Sequence, residues 1–157
     1  MADAPRRSLL DAFLVATLLA FASTSLLCDR AAALDIIGPD SSDPFARAVY
    51  WYGVRYDPLV VANPLFLQVM SGISAFVFGP LYFWLARGLW RRDPKVRAPA
   101  LFWVVAMIYS MIVHVAVELW GELPPPNLMV FVGVYAPYVV VPLLVAWRVR
   151  RVDFDTV

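Results

Sequence analysis

The chain has 157 residues, of which 62% are hydrophobic and 16% are charged, and its net charge is +1. A soluble domain of this length has too much surface for its volume to hide that apolar area, so the composition predicts an integral membrane protein. The near-neutral charge argues against nucleic acid as a partner, which would need a basic patch. The one cysteine, Cys28, excludes an intramolecular disulfide and a cysteine metal cluster.

Four apolar segments are long enough to cross a bilayer, which takes about 20 helical residues. They predict an all-α membrane protein made of one domain over residues 1–157. Its four-transmembrane-helix bundle has helices at about 8–28, 64–89, 98–120 and 128–147. The first segment is too long for a signal peptide and lacks a small-residue cleavage site, which favours a retained helix. Asp11, near Arg7 and within a turn of its start, is interpreted as a snorkelling or paired surface residue.

Basic residues predict the orientation of the bundle. Ten of the thirteen arginines and lysines fall on one side if the chain crosses four times. Positive-inside bias then places both termini in the cytoplasm. These ten residues are Arg6, Arg7, Arg87, Arg91, Arg92, Lys95, Arg97, Arg148, Arg150 and Arg151.

The segment between the first two spans contains an aromatic stretch, AVYWYGVRYDPLV, at residues 48–60. Tyrosine and tryptophan prefer the headgroup level of a membrane, so the stretch predicts a short interfacial helix over the outer face of the bundle.

The third span contains the only histidine, His114, with Glu118 four residues later on the same helix face. An ionisable group in a span costs roughly 2.5–3.5 kcal/mol, so each one requires a reason. One interpretation is a hydrogen-bonded pair that holds helices together; the other is a proton-handling pair in a pocket. A metal site is not expected, because two ligands without a third histidine or cysteine are too few. No cofactor is expected either.

Other polar side chains share the outer half of the predicted bundle. They define a candidate pocket between the helices, apolar overall and open to lipid, whose ligand would be apolar with one polar or cationic end. Asp29 ends the first span, where an interfacial position and a cavity position are equally compatible with the sequence. The predicted ligand-binding residues are Asp29, Ser71, Ser74, Tyr109, His114, Glu118, Tyr135 and Tyr138.

Several stretches resemble the EXPERA-domain family, which includes the emopamil-binding protein (a sterol Δ8–Δ7 isomerase) and the sigma-2 receptor. They are WYGVRYDPL, FGPLYFW, RAPALFWVV and VYAPYVVVPLLV, and the resemblance covers about residues 9–149. It implies a four-helix membrane bundle whose cavity holds a sterol or a cationic amphiphile. It also implies that Asp29 matches the acidic residue that contacts the ligand in the family.

The resemblance also reveals departures from the isomerase pattern. Ser25 and Ser71 stand where the isomerase has a histidine and a glutamate. A double-bond shift requires an acid, a base and stabilisation of a carbocation, so Asp29, His114 and Glu118 are the catalytic residues if the protein is an enzyme.

Three functions follow as hypotheses: a binding protein for sterols or similar lipids, a sterol or terpenoid double-bond isomerase, and a structural membrane subunit. A homodimer is compatible with the small-residue faces of the spans. A bacterial inner membrane and the endoplasmic reticulum both fit the sequence, since the carboxy terminus, RVRRVDFDTV, carries no lysine retention signal.

Overall fold

The computed structural model describes residues 8–151, and each regular element within them is helical. In chain order the helices are α1 (Leu9–Ala33), α2 (Pro44–Tyr56), α3 (Pro58–Ala62), α4 (Leu65–Arg91), α5 (Pro94–Trp120) and α6 (Leu128–Arg151). Helices α1, α4, α5 and α6 are long and apolar enough to cross a membrane, which confirms the predicted four spans. The first span continues past residue 28 to Ala33, so Asp29 lies inside α1 rather than at its end.

Helix starts follow local sequence signals. Ser8 and Asp11 form a capping box at α1, each side chain accepting a hydrogen bond from the other's backbone N–H. Asp43 and Asp57 cap α2 and α3, and each is followed by a proline at a position where the missing N–H has no helical partner. Asn127 caps α6 through the N–H groups of the first turn.

Helices α1 and α4 each contain one π-helical turn, at Ser25–Asp29 and Ser74–Phe78, and the two turns pack side by side. Close approach there depends on Gly79, because a Cβ atom at this position would lie 2.9 Å from Leu26 Cδ2. Such wide turns inside helices are frequent at functional sites. In α6, regular helix is interrupted at Ala136, directly before Pro137, which has no N–H to continue the backbone hydrogen bonds.

The bundle is built from two tightly packed helix pairs, α1 with α4 and α5 with α6. Large fully buried side chains at the centre of the core include Leu18, Tyr82 and Trp103. The opposite faces are also apolar: Phe102 is 73% exposed and Val105 is 70% exposed. Apolar faces of this extent suit lipid rather than water. The protein is therefore an integral, multi-pass membrane protein.

One end of the bundle, here called the termini end, carries residues 8 and 151 and the connection between α4 and α5. Asp11 is buried there, with 5% of its surface exposed. Its carboxylate accepts two hydrogen bonds from Arg148, at 2.5 and 2.7 Å, and lies 3.8 Å from Arg92. Asp11 is thus paired, as one of the two interpretations had it, but the expected surface position is wrong, because Arg148 and Arg92 cover it. Arg6 and Arg7 lie outside the described residues.

The opposite end, called the loop end, is covered by α2 and α3. Arg30, near the end of α1, forms an ion pair with Asp43, and this guanidinium holds the pKa of Asp43 below its ordinary value. Asn63 fastens the return to α4 by donating to the Ala32 carbonyl at 3.0 Å and to Asp35 at 2.7 Å. The stretch predicted to form one short helix, residues 48–60, forms parts of two helices that meet at Asp57, and its location at a membrane surface stays a prediction.

Candidate functional site

A cavity of about 440 Å³ lies between the four spanning helices, under α2. Its walls are mainly apolar, with leucine, methionine, valine and phenylalanine side chains interrupted by a few polar groups. That size and composition are typical of small-molecule sites, which span roughly 300–1,000 Å³. The polar side chains that line it are Thr24, Asp29, Tyr52, Ser71, Ser74, Ser110, His114, Tyr135 and Tyr138.

The paired π-helical turns position Asp29 on one wall of the cavity. Ser74 donates a hydrogen bond to Asp29 Oδ2 at 2.6 Å, and the Ser25 and Ser74 hydroxyl oxygens lie 3.0 Å apart. The turns therefore bring one carboxylate and two hydroxyls together in the loop-end half of two packed helices. Asp29 forms no ion pair within residues 8–151. Of the two positions that the sequence left open for Asp29, interfacial and cavity, the structure has the cavity position.

Tyr138 and Ser71 line the same cavity as Asp29. The Tyr138 hydroxyl lies 3.3 Å from the Thr24 hydroxyl, and its ring stacks on Phe21 with centroids 4.5 Å apart. Ser71 is in the predicted place, on the α4 wall.

The wall opposite contains His114, whose ring packs against Tyr135 with centroids 4.6 Å apart. His114 Nε2 lies 3.7 Å from Glu118 Oε1, a distance too long for a hydrogen bond. Glu118 is fully buried behind His114 and does not line the cavity. The predicted pair on one helix face is present, but its two members are not hydrogen-bonded, and only the histidine lies at the cavity wall.

Tyr109 lies apart from the other predicted ligand-binding residues, because its side chain is 69% exposed on the outer face of α5 and does not line the cavity. Five residues of helix separate it from His114, a rotation of roughly 140° about the helix axis. The described geometry thus gives Tyr109 a lipid-facing position. Its neighbour Ser110 takes the place at the wall.

Asp57 is a polar residue of this region that sequence reasoning missed. It caps α3, is 0% exposed, and accepts a hydrogen bond from the Tyr135 hydroxyl at 2.5 Å. One ligand-type atom each of Asp57, His114 and Glu118 lies within 4.8 Å of the others. The available signal was the Asp-Pro pair after an amphipathic stretch. That pattern predicts a helix cap and gives no indication of burial between spans.

Tyr52, on α2, completes this wall. The pKa of Tyr52 is raised to about 12, mainly by burial and in part by the neighbouring carboxylates of Asp57 and Glu118, which repel a phenolate. Its hydroxyl therefore stays protonated at neutral pH. It is buried without a hydrogen-bond partner among the described residues.

A family model for EXPERA, the expanded EBP superfamily, matches residues 44–149. The chain belongs to this family. The match contains α2 to α6 and therefore Asp57, His114, Glu118, Tyr135 and Tyr138. Helix α1 lies outside it, so the assignment of Asp29 to the family's acidic position continues to depend on the resemblance. Comparison with curated proteins and with solved structures gave no match.

Proposed function

We propose that the protein binds a sterol or a similar apolar lipid with a polar or cationic end, inside the cavity between its four spanning helices. The observation that carries this proposal is the combination of apolar cavity walls with a single carboxylate, Asp29, held by Ser74. An apolar body would replace lipid contacts at the walls, while Asp29 would bind the polar end. A charge-assisted hydrogen bond of this kind contributes about 1.5–3 kcal/mol.

The topology that supports this proposal has both termini in the cytoplasm. Eight described basic residues lie at the termini end, and positive-inside bias assigns that end to the cytoplasm. The cavity, near the loop end, would then open toward the outer or lumenal half of the membrane. To test this assignment, single cysteines are placed in the loops of a Cys28→Ser variant and treated with a membrane-impermeant thiol reagent, which labels only the loops on the side where it is added.

The binding test uses the purified protein in nanodiscs with a radiolabelled sterol and a radiolabelled cationic amphiphile. We expect Asp29→Asn to weaken binding of the cationic amphiphile at least tenfold and that of the neutral sterol less. The matched control is Asp40→Asn, an exposed acid in the loop after α1. Equal affinity for the amphiphile in Asp29→Asn and wild type would contradict the role of Asp29. Failure of the wild type to bind either probe would contradict the proposal itself.

A second candidate function is isomerisation of a sterol double bond. The observation that favours it is that two groups able to transfer protons, Asp29 and His114, line one cavity from different helices. Protonation of one alkene carbon would leave a carbocation at the other. Loss of a proton from the carbon next to that cation would then form the shifted double bond. The carboxylate would also stabilise the cation.

The isomerase test is incubation of the protein with a Δ8-sterol in deuterated water, followed by mass spectrometry. Deuterium in a product with a shifted double bond would support catalysis, and Asp29→Asn and His114→Ala should abolish it. A sterol that stays bound but unchanged would favour the binding function.

A further inference from the structure

The three buried groups Asp57, His114 and Glu118 come from two separate parts of the chain. His114 and Glu118 lie one turn apart on α5, and Asp57 enters from the junction of α2 and α3. Their exposed fractions are 5% for His114 and 0% for the two acids. One potential ligand atom of each lies within 4.8 Å of the other two. The loop end of the bundle therefore gathers one imidazole and two carboxylates around a common point.

The polar atoms of this cluster are only partly satisfied by the described residues, since Asp57 alone accepts hydrogen bonds, from Tyr135 and from the Val60 backbone. His114 Nε2 and both carboxylate oxygens of Glu118 are buried without a hydrogen-bond partner among residues 8–151. A buried polar group left in this state costs about 1–3 kcal/mol, and more when it is charged. The arginine ion pairs of the described residues involve Asp11 and Asp43, not Asp57 or Glu118. The described side chains thus place no cation beside these acids, which leaves the cluster to be satisfied by a bound cation or by a proton.

We propose that Asp57, His114 and Glu118 bind a divalent transition-metal ion, with Zn²⁺ as the representative case. Two ligands that are each ~2.1 Å from one ion lie no more than ~4.2 Å apart. The 3.7 Å between His114 Nε2 and Glu118 Oε1 fits that limit, and the largest separation in the cluster, up to 4.8 Å, must shorten by about 0.6 Å when the ion binds. A charge of +2 neutralises the two carboxylates, which removes the cost of burying them in a low-dielectric region.

The ligand set selects the class of metal. One imidazole nitrogen with two carboxylate oxygens suits zinc, manganese or ferrous iron, whereas calcium and magnesium prefer ligands that are all oxygen. Tyr135 supplies the outer support such sites have, since its hydroxyl donates to Asp57 Oδ2 and fixes the orientation of that carboxylate. The sequence alone provided no reason to expect a metal, because only two candidate ligands were counted; the structure brings a third, Asp57, beside them. This site does not depend on the proposed lipid binding.

The test titrates tag-free protein in detergent, freed of metal by a chelator and dialysis, with Co²⁺ as a spectroscopic probe. We expect one Co²⁺ per chain, visible as d–d absorption bands and displaced by one Zn²⁺. Asp57→Asn, His114→Gln and Glu118→Gln should each weaken Co²⁺ binding at least tenfold. The matched control is Glu122→Gln, an exposed acid in the loop directly after α5, which should bind within twofold of wild type. Unchanged affinity in Glu118→Gln would overturn the proposal.

A second measurement needs no variant, because His114 is the only histidine of the chain. In protein labelled with ¹⁵N-histidine, saturating Zn²⁺ should shift the imidazole nitrogen resonances of this one residue. Zn²⁺ should also raise the melting temperature of the wild type, since the folded state alone assembles the site. Imidazole resonances that do not change at saturating Zn²⁺ would overturn the metal site.

Discussion

Asp11 and Glu118 are both acids buried inside the bundle, but they lie at opposite ends and have different surroundings. At the termini end, Asp11 receives two hydrogen bonds from Arg148 and lies near Arg92, so three helices are joined by a neutralised cluster. At the loop end, Glu118 lies beside a second acid and a histidine with its oxygens unpaired. The first arrangement is complete without any other molecule. The second is the arrangement expected of a site that binds something.

The largest effect should come from breaking the complete cluster. Arg148→Met leaves the Asp11 carboxylate buried with only the more distant Arg92, so we expect a loss of about 3 kcal/mol in the free energy of unfolding. Chemical unfolding in detergent micelles measures it. The matched control is Arg150→Met, an exposed arginine two residues later. A double variant, Asp11→Leu with Arg148→Met, should recover most of the loss; equal losses in the two single arginine variants would contradict the structural role.

The next effect separates two tyrosines of α6 that line the same cavity. Tyr135→Phe removes the hydroxyl that donates to the buried carboxylate of Asp57, so we expect a loss of about 2 kcal/mol in the free energy of unfolding. Tyr138→Phe is the matched control, because its hydroxyl has only a 3.3 Å contact with Thr24, and it should cost about 0.5 kcal/mol. If the two variants lost equal stability, Asp57 would not depend on Tyr135.

A smaller effect, of opposite sign, is expected for Glu118→Gln in the presence of a chelator. In alkaline chelator buffer, where both acids are ionised, the two carboxylates of the loop end repel each other, and neutralising one should raise the free energy of unfolding by about 1 kcal/mol. Glu122→Gln should stay within about 0.5 kcal/mol of wild type because Glu122 is exposed. In the presence of Zn²⁺ the wild type should instead be more stable than Glu118→Gln, because only the wild type has the complete set of ligands. Destabilisation of Glu118→Gln in chelator would mean that a proton already pairs the two acids.

The two ends also differ in how far the sequence could predict them. Span number and helix register followed from apolar length and from the i, i+4 spacing of His114 and Glu118, both of which are local properties of one segment. The partners of the buried acids were not local. Arg148 is 137 residues from Asp11, and Asp57 meets α5 only because α2 and α3 fold back over the bundle.

Among the cavity residues, too, local properties were predictable from the sequence and non-local ones were not. Asp29, Ser71, Ser74, Tyr135 and Tyr138 were predicted from depth in the membrane, and each lines the cavity. Depth does not specify which way a side chain points around its helix, and this explains why Tyr109 was included although it faces outward. Nor does depth reveal the π-helical turn, which widens α1 at Asp29 and requires knowledge of how α4 packs there.

The smallest effect concerns Asp43, an acid that pairs with one arginine near the surface of the loop end. Its pKa is lowered from 3.8 by Arg30, so the pair stabilises the folded state fully above pH 3.8 and loses this contribution as the pH falls toward the lowered pKa. Asp43→Asn keeps an efficient helix cap but removes the charge. The melting temperature of wild type should therefore exceed that of Asp43→Asn by a constant small amount from pH 7 to about pH 5, and the difference should vanish in more acidic buffer. Asp40→Asn, with its exposed acid, should show no such difference at any pH. A difference that grew on acidification would mean that Arg30 does not pair with Asp43 in the folded protein. Asp11, at the termini end, would then be the one acid of this comparison that an arginine neutralises.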